Sequence, residues 1–482
     1  MTQRGICAIS LNTIAKVLRT ASSLVDVHLS QLDFTSRNQG LRLSYVASLL
    51  VFALASQGVR AQEKSPEPQK LNASVAMKPA AQQQTLPSSA KRSITISDAV
   101  SIFLQQNLQL VAARYDVDTA DAEKLTARLR PNPQLSVALS GAPLNLSGPL
   151  VSEQTYDYTI SQTFELGGKR GKRIDFANKN ADFARGQLET TIWQMTNDMK
   201  RKFFTVLLNK SLFDLATQNE QTFGEVVQHT TELVSAGEVS GLDLKRLEVE
   251  KLKFDTDVAN TERDYEVAVR DLRVTLGGDY RMMDIEAAGS LDYQPYDFSF
   301  TELRDKSLVA RPDLKAARLA ELAADADIRL QNAQRIPDLN LTGGVEQVPG
   351  GNSTYLGGVG ITLPIHDRNQ GERAKALIEK QKAQNQALQI TNQILADVDK
   401  ALVAFNLQKK RVELYRTGVL TKVDEIQTLT EFGLKAGESS TLELLDAIRT
   451  RRDTLASYYQ TLFDYQTSLL DLELATATPL QK

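Results

Sequence analysis

Ala236-Gly237-Glu238-Val239-Ser240-Gly241-Leu242-Asp243-Leu244 returns two hundred residues later as Ala436-Gly437-Glu438-Ser439-Ser440-Thr441-Leu442-Glu443-Leu444. Six of the nine positions are identical, and Asp243 comes back as Glu443. Each copy separates two long helical patterns that contain no proline. A glycine just past a helix end suits the left-handed C′ position, and Ser240 or Ser440 is placed to cap the helix that follows. The two stretches therefore predict helical hairpin tips over 235–241 and 435–441. One copy alone would read as a chance Gly-Ser turn; two in register make the chain a tandem duplication.

Outward from the first tip, the helical period runs back to Gly171. Ala181, Ala184, Leu188, Ile192, Met195, Met199, Phe203 and Val206 step by threes and fours, close to the 3.5-residue repeat of a coiled-coil seam. At a rise of ~1.5 Å per residue, the run to Val234 makes a rod of roughly 95 Å. Leu242 to Leu276 returns along it and stops at Gly277-Gly278. The second tip has a matching rod, about Asn369 to Lys435, and a return from Leu442 to about Ala475.

Ahead of each rod the period changes. Gln134-Leu135-Ser136-Val137-Ala138-Leu139-Ser140 alternates strictly. Past a loop at 141–150, Tyr156, Tyr158, Ile160 and Phe164 share one face. Leu339, Leu341 and Val345, then Tyr355, Val359, Ile361 and Leu363, repeat the pattern around Pro349-Gly350-Gly351-Asn352. Period two marks strands with one apolar and one polar face, so strand hairpins are expected at 133–165 and 337–364. Before them, a helix capped by Ser97 and beginning at Asp98 is expected to continue to about Arg130, where Pro131 and Pro133 end it. Ala112-Ala113-Arg114, Ala120-Asp121-Ala122 and Pro133 recur 204 residues on as Ala316-Ala317-Arg318, Ala324-Asp325-Ala326 and Pro337. The organisation that follows is a first repeat at 93–278, an irregular connector at 279–300, a second repeat at 301–476 and a short tail at 477–482.

Residues 41–61 carry a basic start at Arg42, an apolar core from Val46 to Ala55 and a small-x-small ending at Val59-Arg60-Ala61, the pattern of a secretory signal. The apolar run is too short to span a bilayer. The expected chain start lies near residue 41, with 1–61 as upstream extension and signal peptide. Cleavage after Ala61 would remove Cys7, the one cysteine, and take the formal charge from -3 to -7. Residues 62–92, rich in Gln, Pro, Ser and Ala, read as a flexible tail.

An acidic balance supplies no basic face for nucleic acid. His28, His229 and His366 are scattered, without ligand spacing, and read as incidental polar residues. Gly171-Lys172-Arg173 is no phosphate loop, because position 166 is Leu and position 173 is neither Ser nor Thr. The basic run Lys169-Arg170-Lys172-Arg173 reads as the inner edge of a headgroup region, and Trp193, Met195 and Met199 as core. With no nucleophile-base pair, the sequence points away from an enzyme and implies no cofactor and no metal site.

Strands of roughly nine to eleven residues suit a tilted crossing of a bilayer. Four strands cannot close a barrel, and open edges are not tolerated in lipid, so closure would come from several copies. Two copies give eight strands and a lumen filled by side chains; three give twelve and a usable channel.

From about Ile94 to Ala475 the chain resembles the TolC-type outer-membrane factors of tripartite efflux pumps. Phe164-Glu165-Leu166-Gly167-Gly168-Lys169-Arg170 resembles their cobalt-zinc-cadmium branch, and Pro364-Ile365-His366-Asp367-Arg368-Asn369-Gln370-Gly371 resembles the second strand-to-helix junction. The resemblance implies a mainly α fold with a transmembrane β-barrel, in which a homotrimer closes twelve strands and continues them as a twelve-helix periplasmic α-barrel. It implies a place in the outer membrane of a Gram-negative bacterium, contact with its lipid, and partnership with a periplasmic adaptor and an inner-membrane RND-type pump. Many relatives carry a lipidated N-terminal cysteine, which this chain lacks after Ala61. By the same resemblance Glu443 and Asp446 belong to the narrow periplasmic mouth, with Asp243 at the equivalent step and Arg246 in place of a second acid. Gly237, Ser240, Leu242, Gly437, Ser440 and Leu442 are the corresponding adaptor contacts. The plainer reading makes these charges first-turn helix residues and these tips simple turn geometry. Divalent-metal efflux, multidrug efflux and type I secretion all fit a duct of this kind. A periplasmic coiled-coil scaffold without a pore is the alternative from another class, and the strand alternation speaks against it.

Overall fold

The computed structural model describes residues 92–140, 155–237, 239–278, 285–348, 351–436 and 438–480. The expected signal peptide, nearly all of the tail at 62–92, the loop at 141–150 and Gly437 lie outside them. The chain divides into a main unit, Thr85–Ser140, Tyr156–Val345 and Tyr355–Lys482, and a smaller one of Met1–Gln84, Gly141–Thr155 and Glu346–Thr354. Within the smaller unit, the Gly351 amide donates to the Val348 carbonyl at 3.0 Å and turns the chain between two strands.

The first repeat opens with β1 (Arg92–Ile94), α1 (Ile96–Gln106) and α2 (Leu108–Arg128). Thr95, not Ser97, is the cap of α1. Its hydroxyl accepts from the Asp98 amide at 3.2 Å, and the Asp98 carboxylate accepts from the Thr95 amide at 3.1 Å. The reciprocal pair needs an acid three residues after the cap, and only Thr95 has one. The single helix expected as far as Arg130 is also divided. Asn107 ends α1 with extended backbone and caps α2, its Oδ1 accepting from the amides of Gln109 at 2.9 Å and Leu110 at 3.0 Å. Its side-chain amide donates to the Thr275 carbonyl at 2.7 Å, so the break is held against the end of the return helix.

Strands β2 (Gln134–Ser140) and β3 (Thr155–Phe164) follow, then α3 (Lys169–Ser235) and α4 (Gly241–Leu276). The connector is not wholly irregular. It contains β4 (Ile285–Ala287), which pairs in parallel with β1, Arg92 opposite Ile285 and Ile94 opposite Ala287. Three-residue strands carry no readable period, and β1 begins inside what reads as tail. The second repeat runs α5 (Phe300–Ala310), α6 (Pro312–Gln334), β5 (Leu339–Gln347), β6 (Ser353–Ile361), α7 (Gln370–Leu414), a π-helical turn (Tyr415–Val419), α8 (Leu420–Ala436) and α9 (Thr441–Thr476). Leu363 falls beyond β6. The second rod is interrupted by the π turn, a one-residue irregularity that hydrophobic spacing does not reveal.

β2, β3, β5 and β6 form one sheet in that order. Many of its alternating apolar side chains have no cover among the described residues: Leu135, Val137, Ile160, Tyr355, Val359 and Ile361 are all exposed, while Tyr156, Leu339 and Val345 are half-buried. No helix among the described residues is long and apolar enough to cross a membrane.

The main core lies where the repeats meet. Phe103 and Leu110 pack there with Met199 and Phe203 of α3, Leu272 and Leu276 of α4, Phe405 of α7, and Tyr465 and Leu469 of α9. Gly186 lets α3 approach α6 closely, since a Cβ there would sit 3.1 Å from the Ala316 Cα. Buried Arg311, between α5 and α6, pairs with Asp313 at 2.6 Å and Asp397 at 3.1 Å, and its guanidinium lies 5.0 Å from the Trp193 ring centroid. The connector is pinned by Tyr293, whose hydroxyl donates to Glu413 at 2.7 Å. Burial first, and that hydrogen bond second, push its phenol up to about 12.

The basic run after β3 is mostly spent on corners. Lys169, buried, pairs with Asp338 at 2.8 Å. Arg173 forks onto Glu165 and donates to the carbonyls of Ala127 and Leu129, while Arg170 donates to that of Arg128. These bonds tie the start of α3 to the end of α2 and to the residue that precedes β5.

Asn107 gives the test of this architecture. Asn107→Ala removes the cap of α2 and leaves the Thr275 carbonyl without its donor, a loss of about 2 kcal/mol. The helical far-UV signal of the purified protein is expected to melt several degrees earlier, with Asn107→Asp between the two because it keeps the cap alone.

Candidate functional site at the helical hairpin tips

At the first tip α3 ends on Ser235 with Ala236 as its C-cap, and Gly237 takes the left-handed conformation at φ 80°. A side chain there would be strained, which is why the turn needs glycine. The Gly237 amide donates to the Val234 carbonyl at 3.1 Å. Ser240 has extended backbone and caps α4, its hydroxyl accepting from the Leu242 amide at 3.2 Å. At the second tip the amides of Glu438 and Ser439 both donate to the Gly433 carbonyl, at 2.8 and 3.1 Å. Ser440 caps α9 through the Glu443 amide at 3.2 Å, and the Glu443 carboxylate accepts from the Ser440 amide at 2.8 Å. Leu242 and Leu442 stand exposed at the tips, with Leu429 and Phe432 exposed on α8.

The four charges singled out in the sequence occupy three different situations. Glu443 is one half of a capping box, its charge set against the N-terminal end of the α9 dipole. Asp243 is paired one turn on with Arg246, at 3.3 Å on the exposed face of α4. Asp446 is exposed and has no hydrogen-bonding or ion-pairing partner among the described residues. Glu443 and Asp446 are three apart and therefore neighbours on one helix face.

Behind this surface the two hairpins are joined. Phe223 of α3, Leu247 and Phe254 of α4, and Leu444, Leu445 and Ile448 of α9 make a second apolar cluster, in which the Phe223 and Phe254 rings stack at 4.7 Å between centroids. Glu250 lies buried at its edge. It accepts from Arg449 Nε at 2.9 Å and from Lys253 Nζ at 2.9 Å. Burial acts to raise its pKa, but the hydrogen bonds from Arg449 and Lys253 outweigh that and hold the carboxyl below its ordinary value. One turn further, Arg452 pairs with Asp257 at 3.0 Å and lies 5.4 Å from the Phe254 ring centroid. Sequence reasoning passed over Glu250 and Arg449. The signal was present: Leu247, Glu250, Phe254 and Asp257 step by threes and fours, so an acid occupies an apolar seam. Among the described residues no group of His, Cys, Asp or Glu is arranged to hold a metal ion.

Against known proteins, the profile of the family described as outer membrane efflux protein matches residues 99–278 and 303–478. The chain is 26% identical to the cobalt-zinc-cadmium resistance protein CzcC of Cupriavidus metallidurans over 76% of its own length and 85% of that protein's. It is 25% identical to the nickel and cobalt resistance protein CnrC of the same organism, over 55% of this chain and 64% of that one. In fold it is similar to the crystal structure of the open state of the Neisseria gonorrhoeae MtrE outer membrane channel. That likeness has a TM-score of 0.65 at 21% identity, covering 80% of this chain and 89% of the other. Two profile matches, one around each hairpin tip and together spanning most of the sequence, place the chain in the outer membrane efflux protein family, among its TolC-type factors.

Proposed function

We propose that this protein is the outer-membrane exit duct of a tripartite efflux system, passing divalent metal cations from an inner-membrane pump and a periplasmic adaptor to the outside. The observation that carries the reading is the likeness to a cobalt-zinc-cadmium resistance protein along 76% of the chain. The sheet supports a membrane role of the barrel type: four strands, β2 and β6 at its two ends, with apolar side chains exposed. In lipid such edges need partners, and three copies supply twelve strands and a continuous lumen. The four long helical runs of each chain, three times over, then continue the ring into the periplasm as a twelve-helix tunnel. The duct spends no energy of its own; the pump supplies the gradient.

The tips are the periplasmic mouth in this reading. Gly237, Ser240 and Ser440 shape the turns, and exposed Leu242 and Leu442 offer apolar contacts to the adaptor; Gly437 is proposed as a further adaptor contact. Asp446 is the principal gate carboxylate, because Glu443 is engaged by its helix end and Asp243 by Arg246. Three uncompensated carboxylates around a narrow axis attract cations.

Three outcomes are expected. Cross-linking in mild detergent should give a trimer as the largest discrete species, and a monodisperse monomer overturns the barrel. Deleting the gene should sensitise cells to cobalt, zinc and cadmium more than to detergents or dyes, with the plasmid-borne gene restoring resistance. The reverse ranking assigns the duct to multidrug export. In planar bilayers, Asp446→Asn should weaken divalent-cation block from the mouth side by roughly tenfold, and Asp243→Asn by less than about twofold. Equal effects would remove the distinction between the two acids.

A further inference from the structure

The two tip helices carry the same acid-to-arginine spacing, and only one of the pairs is closed. Asp243 and Arg246 on α4 are three apart and joined at 3.3 Å. Asp446 and Arg449 on α9 are also three apart, the spacing at which helical side chains meet. Arg449 instead turns to Glu250 on α4, with Nε at 2.9 Å from Oε1 and a second contact through its terminal nitrogen. The other acid within one turn of Arg449 is Asp453, and Arg452 holds it at 2.9 Å.

Burial decides the competition. Glu250 sits at the edge of the Phe223, Leu247, Phe254 and Leu445 cluster, where an unpaired charge is costly, whereas Asp446 is in water and loses little without a partner. Lys253, reaching Glu250 at 2.9 Å from the solvent side, covers the other carboxylate oxygen and leaves one acceptor for α9. Arg246 lies one turn before Glu250 on α4 but is not among that carboxylate's partners, which are Arg449 and Lys253; its side chain stays exposed and closes on Asp243.

We infer that Glu250 is a positioning residue for the mouth: by holding Arg449 on α4 it keeps the guanidinium off Asp446 and leaves that carboxylate free to meet cations. The inference rests on the reading of Asp446 as a gate residue. It adds that the cation affinity of the mouth is set from behind the pore surface, by a side chain that meets no cargo. It also explains why two helices with like spacing present different charge: α4 a neutral pair, α9 a bare acid.

The test is divalent-cation block in planar bilayers, using full-length protein whose trimer and helical signal match the parent. Glu250→Gln releases Arg449, which should fold back on Asp446 and weaken block by roughly threefold, less than the loss in Asp446→Asn because an exposed helical pair compensates charge only in part. Glu250→Gln with Arg449→Gln removes the released cation and should restore block to within about twofold of the parent. Unchanged block in Glu250→Gln, or no recovery in the double variant, overturns the inference while a weakened Asp446→Asn leaves the gate reading standing. An Asp446→Asn channel with parental block removes both. Should Glu250→Gln fail to assemble, the exchange Glu250→Arg with Arg449→Glu retains the pair and keeps positive charge on α4. Block at least as strong as the parent's is then expected, and weaker block counts against the inference.

Discussion

One guanidinium holds the centre of this molecule. Arg311 stands at the start of α6, buried, with Asp313 and Asp397 on one side and the Trp193 ring beside it, and it reaches the Ala475 carbonyl at 3.4 Å. Four helices, α3, α6, α7 and α9, therefore converge on a single positive charge. A buried ion pair adds little net stability relative to apolar packing, but removing one partner strands the others. What such a centre supplies is register. α3 can lie on α6 only where Gly186 permits the approach, and the pairs around Arg311 fix that position along the helices.

The sheet and the hairpin tips make different demands. The sheet carries apolar side chains that have no cover among the described residues, so its stability belongs to its surroundings. The hairpins are held by a smaller apolar cluster and by charges reaching between α4 and α9. Corners between strand and helix are fastened by Lys169 with Asp338 and by Arg173 with Glu165, short connections that leave the sheet little freedom at its base.

Periodicity made the large elements legible. Sixty-seven residues of α3 repeat their apolar positions often enough to announce themselves, and two copies of the tip motif locate both hairpins. Short features escaped for the converse reason. β1 and β4 have three residues each, too few to show alternation, and their pairing joins residues far apart in the chain. The division at Asn107 rests on a side chain that caps one helix while bonding to Thr275, a distant partner. Ser97 was an equally plausible cap in composition, and only the reciprocal bond with Asp98 separates Thr95 from it. At the candidate site the acids themselves were visible, but their inequality was not. Whether a carboxylate is capping, paired or bare depends on neighbours across a helix interface, and Glu250 is such a neighbour.

The π turn at Tyr415–Val419 carries a geometric consequence of its own. One additional residue in a helical turn advances everything after it by about 100° around the axis. α7 directs Phe405 and Val412 into the core, while beyond the turn α8 carries Ile426, Leu429 and Phe432 on its outside. The second rod thus works as a shaft with a coupling in it: α7 is keyed to the junction of the repeats, while α8 turns Leu434 toward the second apolar cluster and pairs Asp424 with Arg451 of α9. The first rod, α3, has no such coupling. Two rods that lead to like tip motifs are therefore built differently, one continuous and one with its last turns advanced around the axis.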